Sequence, residues 1–374
     1  MAENDPKALT TISSGSLKAL GHGPKSIVSA MVSDALGLAH SPKKELFTAK
    51  FPIGGYSFCA PDYKQVLLWA RALDLDPAEV IRRLESSIAD DNLGGNYGFT
   101  VSNGSIITLD WDFNLLPLKE FEWIDGLLIE ALQLKGRLSN SIIKSLKNLS
   151  HLARLNLSKK SDQDNVSHAD YPLTVLDLPP VPSLTELWCD GIGLNKLDLS
   201  PLPSLISLGC HNNQLTQLNL SPVPGLKRLW CHNNQLTQLN LFPVPGLTEL
   251  WCHSNQLTNL DLFPVPSLTE LSAGENMLTH LDLYLVPGLT LLWCGDNELT
   301  KLDLSSVLGL TTLWCDTNQL TELDLSPVLD LTELWCGANS LTTLDVRHLS
   351  KLETFHADNN VNIKKRPDQE NEQY

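Results

Sequence analysis

The sequence has no run of about 18 consecutive apolar residues, so no segment is expected to cross a bilayer as a helix. It lacks a basic stripe as well. Lys and Arg number 27 against 43 Asp and Glu, a formal net charge of −16 in 374 residues. The tail cluster Lys364-Lys365-Arg366 is too short to hold a phosphate backbone against that field, so nucleic acid is not an expected partner. Met1 to Pro24 carries neither a basic n-region nor an apolar h-region, which argues against a cleaved Sec-type signal peptide. The expected location is cytoplasmic, with export by a route lacking a cleaved signal left open. No GxSxG, HExxH, P-loop or GxGxxG stands in a fitting context, so neither an enzyme nor a cofactor is expected. The Gly-rich Asn92-Leu-Gly-Gly-Asn-Tyr97 leads into a hairpin rather than a helix and reads as a loop. There is no CxxC pair, so no zinc site is indicated.

What is present is periodic. Leu184-Thr-Glu-Leu-Trp-Cys189 aligns with Leu226-Lys-Arg-Leu-Trp-Cys231, Leu247-Thr-Glu-Leu-Trp-Cys252 and Leu331-Thr-Glu-Leu-Trp-Cys336. Cysteines recur at 189, 210, 231, 252, 294, 315 and 336, with Ala273 and Ala357 in the two remaining slots, always 21 residues apart. Asparagines at 213, 234, 255, 276, 297, 318, 339 and 360 keep the same step, while the first unit has Ile192 in that slot. Within a unit, Leu187 and Cys189 alternate with Glu186, Trp188 and Asp190, the period of a short strand with one buried face.

These units resemble the leucine-rich repeats, and the 21-residue step with Cys in the strand looks most like the cysteine-ladder, internalin-type bacterial subgroup. The resemblance covers roughly Ile129 to Asn360 and implies a horseshoe-shaped α/β solenoid with a parallel sheet on its concave side. It says almost nothing about the partner. Some bacterial effectors with similar repeats carry a separate ubiquitin-ligase domain; the 14 residues after Asn360 are not expected to hold one.

One unit cannot bury its leucines alone, whereas neighbours stacked about 4.8 Å apart build a shared core and pair each strand with the next. An inward Asn offers two donors and an acceptor to backbone groups orphaned where the chain leaves the strand. Pro222, Pro224 and Gly225, repeated as Pro243, Pro245 and Gly246, forbid a long helix in the return segment. Two irregular units are expected first, Ile129 to Leu134 and Leu152 to Leu157, the second followed by a polar insertion around Lys159 to His168.

The expected organisation is disorder over 1–44, a small α+β N-terminal module over 45–127, the solenoid over 128–360, and a disordered tail over 361–374. The solenoid would comprise two irregular units and nine of 21 residues. In the module, helices are expected from Asp62 to Leu73 and from a capping box at Asp76-Pro77-Ala78-Glu79 through Ile88. A hairpin is expected from Tyr97 to Trp111 around Asn103-Gly104.

The candidate site residues lie on the exposed side of the strands. Trp188, Trp230, Trp251, Trp293, Trp314 and Trp335 occupy one outward slot, which Gly209 and Ser272 break into a single, a pair and a triplet. Exposed tryptophans at about 150–250 Å² each mark a binding surface, the alternative being rings that stack on one another and were copied with the repeat. Acids at Glu249, Glu333 and Asp316 flank the column and favour a protein or peptide partner bearing basic and apolar groups. His211, His232 and His253 fill the slot after the cysteine in three successive units; duplication explains them better than a metal site does. The cysteines read as packed thiols rather than as disulfides. A non-enzymatic protein-binding scaffold follows. Its alternatives are a carbohydrate-binding solenoid and a secreted bacterial effector with activity in the N-terminal module. Oligomeric state is open.

Overall fold

The computed structural model describes residues 50–86, 98–118, 122–123, 125–136, 138–158 and 173–365. The expectations for residues 1–44, for the Asn92–Tyr97 loop, for the insertion around Lys159 to His168 and for the tail beyond 365 lie outside those residues.

The chain begins with a small hairpin, β1 (Phe51–Ile53) and β2 (Tyr56–Phe58), turned by Gly54 and Gly55 at φ 56° and 87°. Sequence reading missed it, because three-residue strands leave too few alternations to count. Helices α1 (Ala60–Leu73) and α2 (Pro77–Ser86) follow, close to their expected positions. Asp76 starts α2 by accepting a hydrogen bond from the Ala78 N–H at 2.8 Å. Glu79 does not reach back to complete the expected capping box; its carboxylate pairs with Arg82 and Arg83 at 2.7 and 2.8 Å. Strands β3 (Thr100–Ser102) and β4 (Ser105–Asp112) form the expected hairpin, with Asn103 and Gly104 at φ 51° and 87°. The hairpin's β4 pairs in parallel with β5 (Ala131–Lys135), so it forms one end of the main sheet.

From there the chain coils. Helix α3 (Asn140–Ser145) and a 3-10 turn over Leu146–Asn148 return the first irregular unit. Strand β6 (Arg154–Asn156) is the second repeat strand. Then come β7 (Val175–Leu176), β8 (Glu186–Trp188), β9 (Lys196–Leu197), β10 (Ser207–Gly209), β11 (Arg228–Trp230), β12 (Glu249–Trp251) and β13 (Glu270–Ser272). The series closes with β14 (Leu291–Trp293), β15 (Thr312–Trp314), β16 (Glu333–Trp335), β17 (Thr343–Asp345), β18 (Thr354–His356) and β19 (Asn362–Lys364). A 13-stranded sheet runs β18-β16-β15-β14-β13-β12-β11-β10-β8-β6-β5-β4-β3. Eleven of these strands belong to repeat units. The small β7–β9 and β17–β19 pairs lie outside it, and the remaining returns are turns, so the convex side is mostly non-helical. The tail expected to be disordered from 361 instead opens with β19, which pairs in parallel with β17 and half-buries Ile363.

Register is set by the leucines. Leu187, Leu208, Leu229, Leu250, Leu271, Leu292, Leu313 and Leu334 are strand neighbours in order and are fully buried. Slipping any strand by one residue would turn that column to water. The core is continuous from Phe58 to Val361. The seven column cysteines are free thiols, at most 1% exposed, and burial pushes Cys231, Cys294 and Cys336 up to about 12, so they pack as small neutral hydrophobes.

Asparagines supply the polar spine. Asn234 Nδ2 donates to the carbonyls of Cys210, Cys231 and His232 at 3.0–3.2 Å, and its Oδ1 accepts the Leu215 N–H at 2.9 Å. Asn213, Asn255, Asn276, Asn297, Asn318 and Asn339 repeat the pattern. Asn360 keeps the spacing but is exposed; nearby, the Asp358 carboxylate accepts from the N–H groups of Ala338 and Asn339, whose counterparts Thr317 and Asn318 donate to backbone carbonyls.

Candidate functional site

The sheet face opposite the core carries the six candidate tryptophans. Each precedes a buried Cys, and period-2 alternation aims it away from the leucines. Their exposure is graded along the coil: Trp188 is 7% exposed, Trp230, Trp251, Trp293 and Trp314 are half-buried, and Trp335 is 40% exposed.

The breaks in the column are filled. At Gly209 an added Cβ would overlap Trp188 Cε3, so that ring lies over the bare glycine and stacks on Trp230 with centroids 4.8 Å apart. Sequence spacing set Trp188 apart as a single exposed ring; the structure covers it, because Gly209 supplies the space. Ser272 opens the second break. There His253 bridges, its Nδ1 2.7 Å from Ser272 Oγ and its ring 4.6 Å from Trp293. Trp293 in turn lies against Gly274 and Gly295. Beyond it, Trp293–Trp314 and Trp314–Trp335 meet at 6.1 and 6.5 Å with interplanar angles of 68° and 62°. His356 extends the row at 5.1 Å from Trp335. It was not singled out from the sequence, though it stands one repeat step after Trp335.

His211, His232 and His253 stack face to face at 4.3 and 4.2 Å, with interplanar angles near 15°. Parallel stacking keeps their ring nitrogens from converging on a common point. Among the described residues no group of three or more His, Cys, Asp and Glu is arranged to hold a metal ion. Burial, then the neighbouring imidazoles His211 and His253, hold His232 down at about 2; burial likewise lowers His253 to about 4. The three rings are therefore neutral at neutral pH. Asp190 lies 3.5 Å from His211 Nε2 at the start of the stack.

Acids edge the ladder. Glu186 and Glu333 accept indole N–H bonds from Trp188 and Trp335 at 2.5 and 3.0 Å. Burial, then the like charge of Glu270, raises the pKa of Glu249, and burial raises that of Asp316. Arg228 places its guanidinium 5.9 Å from the Trp230 ring centre. The candidate tryptophans, Glu249, Glu333, Asp316 and the three histidines thus share one face of one sheet.

Two features of the coil were legible in the spacing yet were overlooked. The residue two after each cysteine slot is left-handed in every regular turn but the last. Gly191 has φ 68°, and Asn212, Asn233, Ser254, Glu275, Asp296, Thr317 and Ala338 have φ 50–54°. On the return side Phe242, Phe263 and Tyr284 stand 21 residues apart and are 62%, 64% and 73% exposed.

No protein-family model matches the chain, and no curated protein matches it. Solved structures do. The functional domain of InlJ from Listeria monocytogenes, described as including a cysteine ladder, is 32% identical over 70% of this chain and 53% of that one, with a TM-score of 0.55. This chain therefore spans about half the length of that protein. An internalin, InlF, from the same organism is 19% identical over 69% of this chain and 91% of its own, TM-score 0.48. A leucine-rich-repeat protein of Leptospira interrogans is 19% identical over 69% and 83%, TM-score 0.47. With the 21-residue turns, the parallel sheet and the buried column of thiols already described, the chain is a leucine-rich-repeat protein whose units resemble the cysteine-ladder, internalin-like bacterial repeats.

Proposed function

We propose that the chain is a non-enzymatic scaffold that binds a protein partner through the aromatic ladder on its concave face. The observation carrying this reading is the graded ladder itself. Trp293, Trp314 and Trp335 contribute little to the core, which the leucine columns fill without them, yet they hold one another in fixed orientations. Rings ordered before docking lose little entropy on docking, which is what makes tryptophan an effective interface anchor.

Their edge-to-face packing also favours protein over sugar. Ring faces turned onto neighbouring rings do not make the flat open platform on which a sugar ring stacks. A mixture of ring edges, the Trp335 indole N–H tied to Glu333 and nearby carboxylates suits a contact surface with basic and apolar side chains. No helix among the described residues is long and apolar enough to cross a membrane.

The test is capture of a partner from lysate by the wild-type chain and by Trp293→Ala/Trp314→Ala/Trp335→Ala, with folding checked by circular dichroism. Loss of the partner with an intact spectrum is expected. Undiminished capture by the triple variant would overturn the assignment of this face.

A further inference from the structure

A second surface lies away from the ladder, on the return side of the coil. In every turn from Asp198 to Asp345 the segment leaving the strand bends in the same way. An Asp or Asn Oδ1 accepts the N–H two residues on, at 2.9–3.2 Å. The residue supplying that N–H is Ser200, Ser221, Ser305 or Ser326 in four turns and Arg347 in the last, but Phe242, Phe263 and Tyr284 in three consecutive ones. The backbone makes the turn with either side chain, so the fold does not ask for a ring there.

Nor do the rings repay their presence by burial. About two-thirds of each remains in water, which leaves three adjacent aromatic surfaces with Leu285, itself 37% exposed, beside them. At about 150–250 Å² per ring, the column reaches the roughly 300–600 Å² typical of the largest apolar patch on a monomer. Copying of one unit does not account for all three. The unit containing Tyr284 has Met277, His280 and Leu285 where the preceding unit has Gln256, Asn259 and Pro264, yet it keeps an aromatic in this slot.

The same change alters the acids. Where the slot holds serine, the hydroxyl adds a second hydrogen bond to the turn carboxylate, and Asp198, Asp303 and Asp324 have lowered pKa values for that reason, with the backbone bond first. At Asp261 and Asp282 the ring replaces the hydroxyl. Those exposed carboxylates border a cleft of about 320 Å³ together with Asn259, Phe263, His280 and Leu285. Negative charge beside an aromatic face is the environment a guanidinium or ammonium group seeks, and the neighbouring rings suit apolar side chains.

We propose that Phe242, Phe263 and Tyr284, with Asp261 and Asp282, form a second docking surface for a partner segment that intersperses arginine or lysine with apolar residues. It is separate from the concave face and does not depend on that assignment.

The probe is a fluorescently labelled peptide alternating Arg and Leu, with a Glu–Leu peptide of equal length as control, followed by anisotropy on the full chain. Two variants borrow residues the other turns already hold, Phe242→Ser/Phe263→Ser/Tyr284→Ser and Asp261→Asn/Asp282→Asn, so each should fold. Each is expected to weaken Arg–Leu binding at least tenfold, while Ser221→Ala/Ser305→Ala/Ser326→Ala, in the same slot of other turns, leaves it within twofold. Unchanged affinity in the serine variant would show general attraction to an acidic protein and overturn the proposal. Equal binding of the Glu–Leu peptide would overturn it too. So would a sedimentation-detected dimer that the serine variant abolishes, since a second copy would then cover the column.

Discussion

The nine tryptophans divide between two regions that use the same side chain in opposite ways. Trp69, Trp111 and Trp123, in the segment preceding the coil, are 0–4% exposed and pack edge to face, with centroids 4.9 and 6.0 Å apart around Trp69. That region has two helices and a short sheet and no repeating leucine column, so large rings fill its interior. The six in the coil sit on a sheet whose other face is already filled by leucine from turn after turn. Removing a ring therefore has different consequences in the two places. Trp111→Ala should cost about 3–5 kcal/mol, the usual range for emptying a buried aromatic site. Trp335→Ala should cost less than about 1 kcal/mol, because its neighbours are water on one side and Trp314 and His356 on the other. Urea unfolding of the two variants measures the gap. Equal losses would mean that the ladder is core and would undercut its reading as a surface held for a partner.

A second contrast lies inside the coil, between asparagines that share a spacing but not a role. Asn234→Ala removes four bonds; the Cys210 and Cys231 carbonyls keep the amides of Asn213 and Asn255, but the buried Leu215 N–H loses its acceptor, a loss of about 1–3 kcal/mol. Asn360→Ala, at an exposed position, should change the unfolding midpoint little.

That pair also shows what the sequence disclosed. The 21-residue step, the buried Leu and Cys columns and the outward Trp column follow from counting, because stacking forces every turn to repeat the same side-chain directions. Counting fails where a neighbour's shape decides. Gly209 looked like a missing ring and is the space that lets Trp188 reach Trp230. Asn360 looked like the last rung by spacing but is exposed. The chain after 361 read as a polar tail by composition, although Val361 and Ile363 carry enough apolar surface to lay β19 against β17. The parallel pairing of β4 with β5 keeps the offset of β5 with β6, Thr108 to Ala131 and Ala131 to Arg154, but β4 carries no Cys or Asn slot to mark it as a rung of the coil.

The histidine stack sharpens the comparison through pH. An imidazole whose folded pKa lies below its unfolded value near 6.5 binds protons more readily after unfolding, so stability falls as pH falls below 6.5. His253 charges near 4 and His232 near 2, so the loss is spread from pH 6.5 down toward those values. The facing groups are Asp190 at His211, Glu275 toward His253, and the opposing acids Glu249 and Asp316, whose raised pKa values act in the other sense. With the rings open to water along one edge, a net loss of about 1–2 kcal/mol between pH 6.5 and 4.5 is expected, well below the ideal of about 1.4 kcal/mol per pH unit per histidine. His232→Gly, carrying the residue found in this slot at 274, 295 and 337, should flatten that slope. An unchanged slope would place the acid sensitivity elsewhere in the chain.

The smallest effect concerns backbone strain. Thr317 holds φ 51° with a β-branched side chain, whereas the same slot in the first regular turn is Gly191 at φ 68°. A left-handed conformation costs an L-residue about 1–2 kcal/mol, and glycine's extra freedom in the unfolded chain returns about 0.5–1 kcal/mol of that. Thr317→Gly should thus stabilise the coil by about 0.5–1 kcal/mol, while Gly191→Thr should destabilise it by a similar amount. The Thr317 N–H bond to the Gly337 carbonyl at 2.9 Å is a backbone bond and survives the change. The Thr317 hydroxyl also bonds Asp316, which edges the aromatic ladder, so the glycine variant frees that carboxylate while leaving every ring in place. A stability gain with unaltered partner capture would separate the strain of the coil from the work of its face. A gain accompanied by altered capture would assign Asp316 to the interface itself.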